Sequence, residues 1–311
     1  MKLRNLLSIL LVFFTASVIA QPRLITCSSE QNPVDRSINV FADSQAFGDY
    51  TVKLIYILSG FSTNATNDVA LTVVNRGHST VGKLTFDKSA NIHSFAYTYQ
   101  SFPGTPQHKI PDTSFTYLLP VTENNSLRTF RSGSVSERLG TKPDGYIGVD
   151  FMYKLGDTIC AARAGIVYEC SDEVKESEKI KQVYNSERNK VSIEHKDGTL
   201  SHYSILAPIK LLVQAGDYVI PGQPIAVFAN QSVKYDVLFS VSYLDEKKLY
   251  INTEKTPQPA GFSSYNFLHV PFYVDGKKAG QLEPFKEYTS SHPKEIIGAE
   301  MSKKDKKKLG L

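Results

Sequence analysis

At 311 residues the chain has room for two domains of ordinary size, and 41% hydrophobic with 21% charged residues is a globular composition. A formal net charge of +4 is mild and is concentrated in the closing lysines, Lys303 to Lys308. With no basic stripe interleaved with aromatics, it excludes nucleic acid as the expected partner.

The first twenty residues read as an export signal. Lys2 and Arg4 give the charged start, Leu6 to Phe14 the apolar core, and Val18-Ile19-Ala20 the small residues before Gln21. The apolar run is shorter than the about 20 residues that span a bilayer, and no second one follows. The expectation is a secreted or periplasmic chain after cleavage near Ala20, with no transmembrane span.

Residues 21–37 are polar and read as an irregular lead-in. Residues 38–131 read as seven short strands: Ser37–Phe41, Tyr50–Ile57, Val69–Val74, Lys83–Phe86, Ser94–Tyr99, Ser114–Leu118 and Leu127–Phe130. They are β-branched or aromatic, several alternate with period two, and turn clusters such as Gly60 to Asn67 separate them. The pattern predicts an antiparallel β-sandwich. His78, His93 and His108 sit at turns or strand ends and read as surface residues.

Ser132 to Pro143 reads as a joint, and a second domain runs from Asp144 to about residue 245. Turn signals at Ala164-Gly165, Asp197-Gly198, Gly216-Asp217 and Pro221-Gly222 divide it into hairpins, and Ser171 to Lys190 is a charged insertion. Residues 262–311 read as a strand and turn, a helix capped by Ser291, and the basic tail. The fold class is all-β with a short C-terminal helix.

Of three cysteines, Cys27 falls in the lead-in. Cys160 and Cys170 flank a proposed hairpin from Ile159 to Glu169. They are either a disulfide across it or two small buried hydrophobes.

Residues 145–243 carry a series of short motifs. These are Gly148-Val-Asp150-Phe151, the run Gly156 to Tyr168, Ile193-Glu-His195-Lys-Asp197-Gly-Thr199, Val213 to Val219, and Gly222-Gln-Pro-Ile225. In this order and spacing they resemble the lysostaphin-type (LytM-like) zinc metallopeptidases, which cut peptide cross-bridges in peptidoglycan. The resemblance implies a barrel-sandwich domain and a zinc ion held by a His-x-x-x-Asp strand and the second His of a His-x-His strand. It also implies two catalytic histidines, one in a Tyr-x-His-Leu run and one as the first His of His-x-His.

On these positions the chain departs from the family. The first strand reads Tyr146-Ile-Gly-Val-Asp150, so the metal positions carry Tyr146, Asp150 and, from the last strand, Leu238. The catalytic positions carry Ile205 and Asp236. Zinc needs three such ligands and an open position for water, so no cofactor is expected although the family uses zinc. Counting from Ile205, His202 should point away from the site. His195, before the Asp197-Gly198 turn, reads as structural.

Tyr146, Asp150, Tyr203, Asp236 and Ser240 remain as a candidate groove. Asp150 and Asp236 could hold a hard cation with Tyr146, or act as an acid/base pair, or be solvated remnants. Three readings follow. One is an inactive homologue that binds peptidoglycan or regulates a wall hydrolase, with Leu238 and Ile205 closing the pocket to metal and water. Another is an active hydrolase with a displaced site using His202 or His269. The last is a carrier-like or structural module, suggested by the Gly216 to Ile225 hairpin but lacking a presented lysine.

Overall fold

Ile38, Val40 and Ala42 alternate with Asn39, Phe41 and Asp43, and burial follows that alternation residue by residue. The same rule builds the first part of the structure, a computed structural model that describes residues 24–130, 143–154, 156–173, 188–205, 207–229, 236–251 and 258–311. The expected export signal, nearly all of the joint and most of the charged insertion lie outside the described residues.

Seven strands form two facing sheets: β1 (Ile25–Gln31), β2 (Ile38–Ser44), β3 (Tyr50–Ser59), β4 (Phe61–Ser62), β5 (Val69–Val74), β6 (Gly77–Phe86) and β7 (Ser94–Pro103). One sheet runs β1-β2-β6-β4 and the other β5-β3-β7. Val40, Ala42, Val52, Leu54 and Leu84 fill the space between them at 0% exposure. β1 occupies the stretch expected to be irregular. Only Ile25 on it is buried; the strand is held by backbone pairing to β2, from Ile25 opposite Ser44 to Gln31 opposite Ile38.

The next strands are β8 (Tyr117–Leu118), β9 (Ser126–Phe130), β10 (Val149–Met152), β11 (Thr158–Cys160), β12 (Gly165–Ser171), β13 (Asn189–Glu194), β14 (Leu200–Ile205), β15 (Ile209–Leu211), β16 (Tyr218–Val219), β17 (Pro224–Phe228) and β18 (Asp236–Leu244). A four-residue helix α1 (Glu246–Leu249), capped by Asp245, follows. β19 (Tyr265–Phe267), β20 (Phe272–Val274), β21 (Lys277–Ala279) and β22 (Glu287–Thr289) come next, then helices α2 (Lys294–Ile297) and α3 (Lys303–Leu309).

A nine-stranded sheet follows the order β16-β12-β13-β14-β18-β10-β9-β22, with β19 also on β18. A three-stranded sheet β11-β17-β15 completes the core with it. Between them Phe151, Val167, Ile193, Tyr203 and Phe239 are buried. Gly165 is obligatory here, because a Cβ at that position would lie 2.2 Å from the Glu194 carbonyl oxygen of the adjacent strand. Phe130 and its neighbours were expected in the front sandwich. Instead β9 lies between β10 and β22, and β8 pairs in parallel with β20. The expected single C-terminal helix is two short ones, and Pro293 rather than Ser291 stands at the first cap.

The all-β class expected from the sequence holds. Among the described residues no helix is long and apolar enough to cross a membrane. Of the two alternatives for Cys160 and Cys170 the disulfide is not formed: both are free thiols, Cys160 buried and Cys170 half-buried. β11 and β12 belong to different sheets, Cys160 facing β17 and Cys170 facing β13, so no hairpin brings the two sulfurs together.

The two parts meet. Tyr168 and Leu200 of the large sheet join the apolar cluster of the front sandwich, and Tyr50 packs edge-on to Tyr168 at 6.4 Å. The Asp49 N–H donates to Glu194 Oε2 at 2.7 Å across the junction.

Candidate functional site

Strand register decides what faces what on the large sheet. Asp150 lies opposite Leu238, Leu238 opposite Ser204, and Ser204 opposite Lys190. Cross-strand partners share a face, and residues two apart on one strand share it too. One face of the sheet therefore carries Asp150, Asp236, Leu238, Ser240, Ser242, Leu200, His202 and Ser204. The opposite face carries Val237, Phe239, Val241, Tyr203 and Ile205, all in the core.

Two expectations are thereby corrected. Ile205 is 0% exposed and lies opposite Val237, on the core face, so it lines no groove. Tyr203, expected in the groove, is 0% exposed on that same core face, its hydroxyl accepting the Ala162 N–H at 2.7 Å. The count from Ile205 also misplaced His202, which lies opposite Ser240 and so shares the face of Leu238.

Asp150 and Leu238 are half-buried, Asp236 and Ser240 are buried at 7% and 6% exposure. Tyr146 is half-buried, and its ring lies 4.7 Å from that of Phe267. Its hydroxyl occupies the space where a side chain on Gly148 would go. Tyr146, Asp150 and Asp236 are all engaged in interactions of their own. β18 is paired by β10 up to Phe239 and by β19 from Ser242. At the gap between them a cavity of about 280 Å³ opens, lined by Gly148, Ser240, Leu268, exposed His269 and Val270.

His202 is held by hydroxyls rather than carboxylates. Its Nε2 is 3.0 Å from Ser242 Oγ, and its Nδ1 is 3.3 Å from Tyr168 Oη and 3.4 Å from Ser192 Oγ. Burial, with Lys190 adding to it, lowers its pKa to about 4. Two strand spacings and two residues put it about 12 Å from Asp150, too far to share one metal ion. His195, expected to be structural, is 2% exposed and its Nδ1 lies 2.7 Å from the Ala164 carbonyl.

The donor set does not fit zinc. One carboxylate, one phenol and one hydrocarbon occupy the family's three ligand positions, and Leu238 sits directly across from Asp150, where an imidazole would have to be. Among the described residues no three His, Cys, Asp or Glu side chains come together as a metal set.

The motif reading passed over a second polar centre. Arg163 is 3% exposed and makes a two-pronged contact with Glu300, Nη2 to Oε1 at 2.7 Å and Nε to Oε2 at 3.0 Å. Its Nη1 reaches Asp197 Oδ2 at 2.9 Å, and its guanidinium stacks 3.8 Å from the Phe115 ring centre. Glu300 is 137 residues away, so no local pattern in the sequence announces the pair.

Residues 145–254 match the profile of Peptidase family M23. Among solved structures, a family M23 peptidase from Pseudomonas aeruginosa is 12% identical, covering 76% of this chain and 94% of its own, at a TM-score of 0.29. Helicobacter pylori Csd3, in its hexagonal crystal, is 13% identical, covering 70% of each chain, at 0.27. The orthorhombic crystal of Csd3 is also 13% identical, covering 91% of this chain and 82% of its own, at 0.27. At such scores the superpositions carry no argument about the site. No curated protein matches the chain.

Proposed function

We propose that this chain, which carries a peptidase family M23 domain over residues 145–254, is an exported, catalytically inactive homologue that binds peptidoglycan or regulates a wall hydrolase. One observation carries the reading: Leu238 stands across the strand pair from Asp150, at the position of a zinc-binding imidazole. A hydrocarbon donates no lone pair, and the phenol at Tyr146 leaves a single carboxylate of the family's ligand set.

The retained face suits recognition better than chemistry. Ser204 and Asp150, both half-buried, offer a hydroxyl and a carboxylate on this face to a polar polymer. Sacculus pull-down and zinc calorimetry test the reading together. The expected result is retention on purified peptidoglycan, or on a wall hydrolase, without zinc uptake and without release of cross-bridge fragments. One tightly held zinc per chain, or chelator-sensitive digestion, refutes it.

A further inference from the structure

The closing lysines, read from the sequence as a basic tail, form a folded and anchored element. α3 contains five lysines and one aspartate, so its net charge alone equals the formal +4 of the whole chain. Both of its ends are closed. Ser302 Oγ accepts the Asp305 N–H at 3.2 Å and donates to Asp305 Oδ2 at 2.6 Å, a side-chain N-cap. Gly310 ends the helix at φ 69°, and the Leu311 N–H returns to the Lys306 carbonyl at 3.0 Å.

The helix is fastened to the body on one side. Lys294 Nζ donates to the Gly310 carbonyl at 2.7 Å. The Lys306 stem lies against Gly298. Leu309 and Leu311 share a cavity of about 360 Å³ with Ile220, Pro221 and Ile297. Two residues before the cap, Glu300 grips buried Arg163, which also cancels that acid's charge.

The remaining lysines point outward together. At about 100° per residue, Lys303, Lys307, Lys304 and Lys308 fall within an arc of about 140°, and Asp305 and Lys306 fall outside it. All four are exposed, whereas Lys306 is half-buried. They form two pairs with i,i+4 spacing, each about 6 Å apart along the axis. Helix stability does not select this arrangement. Like charges at i,i+4 repel, and Lys303 and Lys304 sit at the end of the helix whose dipole disfavours cations. An external row of anions removes both penalties.

We propose that α3 is a docking surface for a linear phosphodiester polymer recognised through its backbone charge alone. The lysine arc carries no aromatic ring on which bases would stack. It carries no aliphatic or aromatic side chain to insert into lipid: Leu309, the one apolar residue of α3, falls outside the arc and borders the cavity with Ile220, Pro221 and Ile297. The proposal stands whether or not the M23 domain is catalytic.

Titration of the full chain with fluorescent poly(glycerol phosphate) tests it. Four phosphate contacts on a single-stranded polyanion predict a slope of log K against log salt of about −2.8. Replacing Lys303, Lys304, Lys307 and Lys308 by Gln should flatten that slope and weaken binding at least about tenfold in 50 mM salt. Thermal unfolding of the variant should stay within a few degrees of the parent, since none of the four contacts the body. Gln at Lys83, Lys88, Lys109 and Lys277, four lysines exposed elsewhere, removes the same charge and should leave most of the binding. The proposal is overturned if the α3 variant binds as the parent does, or if the control variant loses as much. Lysine-dependent binding to phosphatidylglycerol vesicles with none to the polymer overturns it in favour of a membrane.

Discussion

Removing the Glu300 carboxylate should loosen the end of the chain and destabilise the second domain. The Arg163 and Glu300 side chains are 3% and 13% exposed, whereas Asp197 is 30% exposed. Burial works against the guanidinium charge, but Glu300, Tyr117 and Asp197 outweigh it and raise its pKa, and because a guanidinium is not deprotonated in proteins Arg163 stays charged when Glu300 is lost. Stripping one partner from a buried ion pair costs about 3–5 kcal/mol. Because Asp197 remains, Glu300→Ala should sit at the low end, about 3 kcal/mol. With a urea dependence near 3 kcal/mol/M, the unfolding midpoint falls by about 1 M at unchanged slope. Arg163→Met alone should cost a similar amount, since it leaves Glu300 buried without its cation. Arg163→Met with Glu300→Met should recover at least half of the summed loss, because the desolvation of both charges disappears with them. The assay is urea unfolding followed by tyrosine fluorescence and circular dichroism. A midpoint shift for Glu300→Ala below about 0.2 M, or additive single and double losses, would refute the coupling.

Restoring both missing imidazoles, Tyr146→His with Leu238→His, should give a chain that retains one zinc through gel filtration, while Leu238→His alone retains none. Metal analysis of the eluted protein decides between these. Glu194 is raised to about 7 by burial, against the Asp49 N–H, which favours the charged form. A raised acid pKa means the folded state keeps a proton that the unfolded state has lost. Glu194 therefore removes stability as pH climbs from about 4.5 to 7, by at most about 1.4 kcal/mol per pH unit, and Glu194→Gln should abolish that slope in pH-dependent unfolding. His202, depressed to about 4, acts in the opposite sense. Its contribution is present above pH about 6.5 and is lost as pH falls toward 4, so His202→Gln should flatten the acid limb. Burial raises the Cys160 thiol to about 12; intact mass should be the same with and without reductant, and Cys160 should resist alkylation at pH 8 until the chain is unfolded.

What the sequence reveals about this chain depends on how local each cause is. The strands Ile38 to Ser44 and Tyr50 to Ser59 were readable because their apolar residues and turns lie within ten positions. β1 was not, because only Ile25 on it is buried and its remaining hold is backbone pairing that polar residues make equally well. Ser126–Phe130 was readable as a strand but not as a neighbour of β10 and β22, since pairing over such a distance leaves no mark on the segment itself. Arg163 and Glu300 were invisible for the same reason.

The misplaced Ile205 has a different cause. Within β14 the residues alternate, Ser201, Tyr203 and Ile205 buried against His202 and Ser204 half-buried, and the apolar members name the core face without help from any relative. A family motif laid over that alternation assigned Ile205 to the groove and turned His202 away from it. A one-residue change of parity sends every side chain of a strand to the other face, so the error was complete. The corrected parity alters the physical picture of the site. Its face carries serines and aspartates beside two leucines, Leu200 opposite Ser242 and Leu238 opposite Asp150, and of these Leu200, Asp236, Ser240 and Ser242 are buried. Zinc is therefore disfavoured by the chemistry of Tyr146 and Leu238 alone, a phenol and a hydrocarbon at two of the three ligand positions the resemblance implies.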